Sequence, residues 1–143
     1  MTDALPTLKE ADALRADIYR LLATLLRQPP DTELLNWLAE LAIEQDGSRL
    51  AECWQSLAVA AADTEQGGDD VERLQRAHFR HLVGVIQGDV VPYASWYRNG
   101  ELMEAALVAL RQDLKVLGFE RSEHTRDPED HLAALCEVMA MLI

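Results

Sequence analysis

Apolar side chains recur at helical spacing along most of the chain, and this pattern constrains the fold more than any other feature. The first example places five aliphatic residues at i, i+4, i+7, i+8 and i+11, on one stripe of a helix: Leu14, Ile18, Leu21, Leu22 and Leu25. No segment alternates apolar and polar residues as a half-buried strand does. Helix breakers interrupt the pattern at Pro29-Pro30, Asp46-Gly47 and Gln66-Gly67-Gly68. The sequence therefore predicts an all-α fold, a single bundle of about six helices.

Start and stop signals predict the next three helices. Asp31 is expected to cap the second helix, which turns four residues inward: Leu34, Trp37, Leu38 and Leu41. The third helix is expected to begin at Ser48, with five inward residues: Leu50, Trp54, Leu57, Ala58 and Ala61. Asp69 and Glu72 resemble a capping box, which predicts a fourth helix through about Val83.

The last two predicted helices are unusually apolar. The fifth runs over about 101–117 and stops at Gly118, and its apolar stretch 102–110 predicts a position near the middle of the bundle. After a hinge-like segment at 119–128, the last helix occupies 128–143, with Asp127 as its cap and Pro128 in its first turn. Because that helix is apolar almost all round, we expect it to be incomplete in this chain, or exchanged with a second copy in a domain-swapped homodimer. Residues 1–143 are otherwise predicted to form a single domain.

Charge and composition exclude several classes of function. The chain carries 13 Lys and Arg against 25 Asp and Glu, a net charge of −12. This balance argues against a nucleic-acid partner and favours a basic one. The N-terminus lacks the basic and apolar segments of a secretory signal, and no apolar run approaches the ~20 residues that span a bilayer. The sequence therefore predicts a cytoplasmic protein with no membrane insertion, in which Cys53 and Cys136 are buried free thiols rather than a disulfide.

Two short stretches interrupt the Leu- and Ala-rich pattern. The first, Pro92-Tyr93-Ala94-Ser95-Trp96-Tyr97, lies in a segment at 84–100 that is predicted to be irregular. The second, Asp127-Pro128-Glu129-Asp130-His131, lies at the start of the last predicted helix. Clustered Tyr and Trp rings are typical of binding surfaces, so the first stretch is interpreted as a partly exposed docking loop. The alternative is that the loop folds inward and closes one end of the bundle.

Residues with catalytic or metal-binding chemistry form only weak patterns. His78 and His81 lie three apart on the fourth predicted helix, but no acidic residue stands at the spacing that would complete a metal site. Ser95 lacks the flanking glycines of a nucleophile elbow. Asp130 and His131 are adjacent in sequence, so on a helix their side chains point about 100° apart. No catalytic residue, metal or cofactor is predicted, although a small metal-dependent hydrolase using His78, His81, Asp130 and His131 stays open as an alternative.

At these stretches the chain resembles the TorD/DmsD/NarJ family of cytoplasmic chaperones for molybdenum-containing oxidoreductases. The family pattern is an aromatic-containing helix end with Gly, a Pro-aromatic-x-Ser-x-aromatic loop, an apolar helix ending in Gly, and an Asp-His pair at the next helix. The resemblance extends over about 14–139. The matching segments, in the family's order, are His78-Phe79-Arg80-His81-Leu82-Val83-Gly84, then Pro92-Tyr93-Ala94-Ser95-Trp96-Tyr97, then Arg111 and Gly118, then Asp130-His131-Leu132 with Met139.

The resemblance implies a chaperone rather than an enzyme. Such proteins bind the twin-arginine signal peptide, or another N-terminal segment, of an apo-oxidoreductase subunit and hold it until the molybdenum cofactor is inserted before export. The matching positions imply a peptide-binding site made of seven residues: Pro92, Tyr93, Ser95, Trp96, Tyr97, Asp130 and His131. In this reading Asp130 pairs with an arginine of the leader. A structural assembly factor that binds through its apolar last helix is the remaining alternative.

Overall fold

The described part of the chain consists of helices joined by turns and loops. The structure is a computed structural model that describes residues 7–65 and 70–143. Within those two ranges there are α-helices, one π-helical segment (Phe79–Val83) and no β-strand, which confirms the all-α prediction. The α-helices are α1 Leu8–Arg27, α2 Thr32–Ala39, α3 Arg49–Glu65, α4 Asp70–His78, α5 Ala94–Asn99, α6 Glu104–Val116 and α7 Leu132–Leu142. None of these helices is both long enough and apolar enough to cross a bilayer.

The helices group into two compact units. One unit contains α1 together with α5, α6 and α7, and the other, Gln28–Gly88, contains α2, α3, α4 and the π-helix. The first unit is therefore made from two separate pieces of the chain, whereas the second is continuous. The prediction that 1–143 forms one domain stays a prediction.

Small residues make the contact between α1 and α7. Ala16 and Ala23 are the buried residues of α1, and Ala133, Cys136 and Ala140 are those of α7. Alanines seven residues apart on each helix allow the two backbones to approach closely. The predicted leucine stripe is only partly correct, because Leu14 and Leu22 are exposed. The periodicity of the large leucine side chains does not reveal the alanines that are buried in this contact.

The second unit confirms two predicted helix caps. The Asp31 carboxylate accepts a hydrogen bond from the Leu34 N–H at 2.8 Å and starts α2, and the Ser48 hydroxyl accepts one from the Ala51 N–H at 3.1 Å and starts α3. The predicted inward residues are partly wrong. Trp37 is exposed because α2 buries Leu35 and Leu38, and successive residues of a helix point 100° apart.

Two further inward predictions on α3 are wrong. Leu50 and Cys53 are exposed, whereas Ala58 and Ala61 are buried as predicted, together with Ala51. The predicted capping residue Asp69, the linker at 66–68 and the N-terminus at 1–6 lie outside the described residues.

The fourth predicted helix changes character before it ends. It is α-helical as far as His78 and then π-helical to Val83, where the Gly84 N–H donates to the Phe79 carbonyl at 2.6 Å. Gly84 has a φ of 67°, and a side chain there would collide with the Gln87 carbonyl. The tight turn that follows leaves Val85 and Ile86 almost fully exposed. Glycine is therefore required by the backbone at this turn.

The region predicted to be irregular, 84–100, contains the short helix α5. The next helix, α6, begins at Glu104 rather than about residue 101 and buries Leu107 and Leu114. Its predicted place in the middle of the bundle is wrong, because Val108 and other apolar residues on its remaining sides are exposed. An apolar composition does not by itself bury a helix on all sides, and in α6 only the stripe with Leu107 and Leu114 is buried.

The last helix begins at Leu132, and the prediction that Asp127 caps it is wrong. His131 is the N-cap, with an extended backbone at φ −56° and ψ 134°. The Leu132 N–H donates to the Pro92 carbonyl at 2.8 Å, so the residues before α7 pair with another segment instead of continuing the helix.

Candidate peptide-binding site

The two motif stretches lie side by side in the first unit. Tyr93 and His131 form an isolated antiparallel bridge, the Leu132 N–H donates to the Pro92 carbonyl, and the Ala94 N–H donates to the Asp130 carbonyl at 3.0 Å. We call this arrangement, residues 92–95 with 130–132, the motif junction. It brings together five of the seven predicted site residues: Pro92, Tyr93, Ser95, Asp130 and His131.

The Asp130 side chain caps the N-terminus of α5. Its side chain is 2% exposed, and its Oδ2 accepts a hydrogen bond from the Ser95 N–H at 2.9 Å. The N-cap residue Tyr93 makes no side-chain cap of its own, so the carboxylate from the other segment caps this helix. The second oxygen, Oδ1, is buried and has no hydrogen-bond partner among the described residues.

Ser95 is fully buried and connects α5 to α6. Its Oγ accepts a hydrogen bond from the Met103 N–H at 3.1 Å. Met103 is the N-cap of α6 and has a φ of 71°, a left-handed conformation that is unfavourable for a residue with a side chain. The hydroxyl therefore holds a strained residue in place between the two helices.

His131 caps α7 in the same way. The ring Nδ1 accepts a hydrogen bond from the Ala133 N–H at 3.0 Å, so the imidazole is neutral and its proton lies on the other nitrogen. Burial lowers the pKa of His131 below its usual 6.5, which agrees with the neutral form. The ring also packs edge to face with Tyr93, with the two centroids 5.0 Å apart.

Tyr93 joins the junction to the hinge-like segment before it. Its hydroxyl donates to Asp127 Oδ1 at 3.2 Å. Burial and the nearby Asp127 carboxylate raise the pKa of Tyr93 to about 12, so the phenol keeps its proton. Asp127, which was predicted to be a helix cap, is thus a hydrogen-bond acceptor beside the junction.

Two arginines bind carboxylates next to this network. Arg27 at the end of α1 makes a bidentate contact with Glu137 of α7, with distances of 2.9 Å from Nε and 3.0 Å from Nη2. The same guanidinium lies 3.9 Å from Asp127 Oδ2. Arg111 of α6 contacts Glu129 at 2.9 Å. These pairs connect α1 to the middle of α7 and to Asp127, and α6 to the segment that precedes α7.

A cavity of about 540 Å³ lies between α6, the 119–128 segment and α7. We call it the α6–α7 cavity. Its apolar lining residues are Leu114, Phe119, Pro128, Ala134, Val138 and Met141, and its charged lining residues are Arg27, Arg111, Lys115, Glu120, Arg121, Asp127, Glu129 and Glu137. Sequence reasoning missed this cavity, because its residues come from four segments. The only signal was the apolar surface of the last predicted helix.

The other two predicted site residues lie on α5 and face solvent. Trp96 is 38% exposed and Tyr97 is 67% exposed, while Pro92 is buried and Tyr93 is half-buried. The aromatic stretch is therefore divided, with its first ring in the junction and its last two at the surface. Neither Trp96 nor Tyr97 lines the α6–α7 cavity.

The predicted alternative metal ligands are distributed between the two units. His78 and His81 belong to the second unit, whereas Asp130 and His131 belong to the junction in the first. Over residues 7–65 and 70–143, no group of three or more His, Cys, Asp or Glu side chains is placed to hold a metal ion.

Comparison with known proteins places the chain in a family. Residues 43–143 match the family described as nitrate reductase delta subunit. A crystal structure described as a redox enzyme maturation protein from Archaeoglobus fulgidus is similar in fold, with a TM-score of 0.59 and 19% sequence identity over 99% of this chain and 76% of that one. No curated protein sequence matches. Since the family match spans most of the chain, the protein belongs to the nitrate reductase delta subunit family, the NarJ- and TorD-type group that its two motifs resemble.

Proposed function

We propose that this protein binds the twin-arginine signal peptide, or the N-terminal segment, of the apo-form of a molybdenum-containing oxidoreductase. Its family is one of maturation chaperones rather than catalysts. In this proposal the chaperone holds its client in the cytoplasm until the molybdenum cofactor is inserted, and the client is exported afterwards. The protein itself needs no cofactor for this role.

The observation that carries the proposal is the pair of exposed rings beside a rigid junction. Trp96 and Tyr97 lie on α5, whose first turn is held by Asp130 through the Ser95 N–H and is connected to α6 through the Ser95 hydroxyl. Aromatic rings with few rotatable bonds lose little entropy when they bind, particularly on a helix that is already ordered. The arrangement thus offers a preformed contact for the apolar part of a leader.

The remaining residues of the proposed site give this surface its position. Pro92, Tyr93, Ser95, Asp130 and His131 bind one another through backbone and side-chain hydrogen bonds. The net charge of −12 suits a leader that begins with basic residues, because long-range attraction raises the rate at which the two meet.

The test is a titration with a synthetic leader peptide that contains two adjacent arginines followed by an apolar stretch. We expect replacement of both Trp96 and Tyr97 by Ala to weaken binding at least tenfold, because the two rings supply apolar contact area. Trp37→Ala is the matched control, since Trp37 is also an exposed ring but lies on α2 in the other unit. Equal loss in both variants, or no loss in the double variant with its fold intact by circular dichroism, contradicts the proposal.

A second candidate function rests on the exposed face of α7. Leu132, Met139, Met141 and Leu142 are exposed on this helix. Apolar residues clustered on a surface helix are typical of contacts between proteins, which supports an assembly role or a homodimer. Light scattering at several protein concentrations tests it. A dimer that dissociates in Met141→Gln/Leu142→Gln favours this candidate, and a monomer at all concentrations excludes the homodimer.

A further inference from the structure

We infer that Asp127, on the wall of the α6–α7 cavity, is the carboxylate that accepts an arginine of the bound leader. This inference rests on the proposed function and assigns one contact within it. It differs from the sequence-based expectation, in which Asp130 makes that contact.

Asp130 is poorly placed for a direct contact with a peptide. It is 2% exposed, and one of its oxygens already accepts the Ser95 N–H. Its other oxygen, Oδ1, has no partner among the described residues but is buried, so a guanidinium cannot reach it while the junction is intact. The role of Asp130 in binding is therefore to position α5, whatever the leader contacts.

Asp127 has the exposure that Asp130 lacks, and one of its oxygens is free to accept a further hydrogen bond. Its side chain is 44% exposed and lines the cavity. Oδ1 accepts the Tyr93 hydroxyl, which fixes the orientation of the carboxylate. Oδ2 faces Arg27 at 3.9 Å, beyond hydrogen-bonding distance, because the fork of that guanidinium is directed to Glu137. A second guanidinium can thus bind Oδ2 without displacing an existing hydrogen bond.

The other acidic residues of the cavity are less suitable, with one exception. Glu129 is 15% exposed and bound to Arg111, and Glu137 is occupied by Arg27. Glu120 forms no ion pair within the part of the chain that the structure describes, so it offers a second carboxylate for a paired arginine. Lys115 and Arg121 line the same cavity, and the selectivity for arginine therefore comes from the position of Asp127 rather than from a general excess of acid.

The apolar lining of the cavity suits the leader residues that directly flank the arginines. Leu114, Phe119, Val138 and Met141 supply apolar surface close to Asp127, and the volume of about 540 Å³ accommodates several side chains. A twin-arginine leader joins basic residues directly to an apolar stretch. The cavity presents a carboxylate next to apolar side chains, so its charge complements the arginines and its apolar lining complements the apolar residues beside them.

A double-mutant cycle measures this contact. The probes are the synthetic leader with two arginines and the same peptide with both replaced by Gln, titrated against the wild-type protein and Asp127→Asn. Asn keeps an oxygen for the Tyr93 hydroxyl but removes the charge. We expect Asp127→Asn to weaken binding of the arginine peptide about tenfold and binding of the Gln peptide less than twofold. Only the arginine peptide makes the charge-assisted contact that this substitution removes.

Three controls separate the outcomes. Asp127→Glu restores the charge and should recover most of the affinity for the arginine peptide. Glu123→Gln removes the same charge from an exposed residue outside the cavity and should leave both affinities within about twofold. Asp130→Asn should change the affinities for both peptides by the same factor, because it acts through the position of α5.

The inference is overturned if Asp127→Asn weakens both peptides equally, or if Asp130→Asn rather than Asp127→Asn shows the dependence on arginine. If the wild-type protein binds neither peptide, the proposed function itself fails. Melting curves for each variant verify that all four proteins are folded under the conditions of the titration.

Discussion

The motif junction and the α6–α7 cavity share the segment before α7, yet they are built from different kinds of contact. In the junction, Ser95, Asp130 and His131 are buried and each accepts a backbone N–H. In the cavity, charged residues such as Arg27, Asp127 and Glu137 are partly exposed and bind one another. The buried motif residues therefore hold the fold together, and of the rings in the two motif stretches only Trp96 and Tyr97 are exposed. The cavity, by contrast, is lined by residues that carry no recognisable sequence pattern.

The strongest test of this difference is Asp130→Ala. It removes the acceptor of the buried Ser95 N–H, and hydrogen bonds to charged groups contribute about 1.5–3 kcal/mol. We expect the free energy of unfolding to fall by about that amount in urea denaturation. Asp130→Asn keeps an acceptor oxygen and should lose less. A stable Asp130→Ala variant would show that the junction is not held by this carboxylate.

The pH dependence of stability tests whether His131 is buried and neutral. Its folded pKa lies below the unfolded value of 6.5, so between these two values the unfolded chain binds more protons. Its stability contribution is complete above pH 6.5 and decreases as the pH falls through this window, by at most about 1.4 kcal/mol per pH unit. His131→Asn keeps an N-cap acceptor for Ala133 and should flatten the curve between pH 7 and 5. An unchanged slope would place the titrating group elsewhere.

A smaller effect is expected for Ser95→Ala. The Met103 N–H loses its acceptor, at a cost of about 1 kcal/mol in the free energy of unfolding. Ser56→Ala is a matched control on α3, where the hydroxyl bonds only to the Glu52 carbonyl of its own helix and is exposed. If the two variants lose equal stability in urea denaturation, Ser95 has no special role between α5 and α6.

The smallest effect is expected on the cavity side. Glu137→Gln weakens the pair with Arg27, and because both side chains are partly exposed the loss should be about 0.5 kcal/mol. The difference from wild type should shrink in 1 M salt, where the Debye length is about 3 Å. Repeating the unfolding measurement at low and high salt checks this. A loss larger than that of Asp130→Ala would reverse the comparison between the two regions.

Sequence periodicity predicted most helices and two of their caps, at Asp31 and Ser48, because these features are local. It failed where tertiary contacts determine where a helix begins and which of its faces is buried. Asp127 and Pro128 look like a helix start, yet Leu132 gives its N–H to Pro92, a residue forty positions earlier. Trp37 and Leu50 satisfy an apolar pattern but are exposed, since α2 buries the neighbouring Leu35 and Leu38 and the buried residues of α3 begin at Ala51.

The candidate site was predictable in the same uneven way. The family resemblance singled out the residues that form the junction, because they lie in two short contiguous motifs. It did not reveal the cavity, whose walls come from the end of α1, the C-terminal half of α6, the 119–128 segment with Glu129, and α7. Arg27 and Glu137 lie far apart in sequence, and no local pattern connects them.

The pairing of α1 with α7 has a consequence for the order in which the protein is made. On the ribosome, about 100 residues must be added after α1 before its partner exists, which takes roughly 5–20 s at typical synthesis rates. The continuous segment Gln28–Gly88 is complete long before then and can fold while α1 waits with its alanine face uncovered. The cavity and the junction both need residues beyond 127, so a nascent chain has neither of them until those residues have been added.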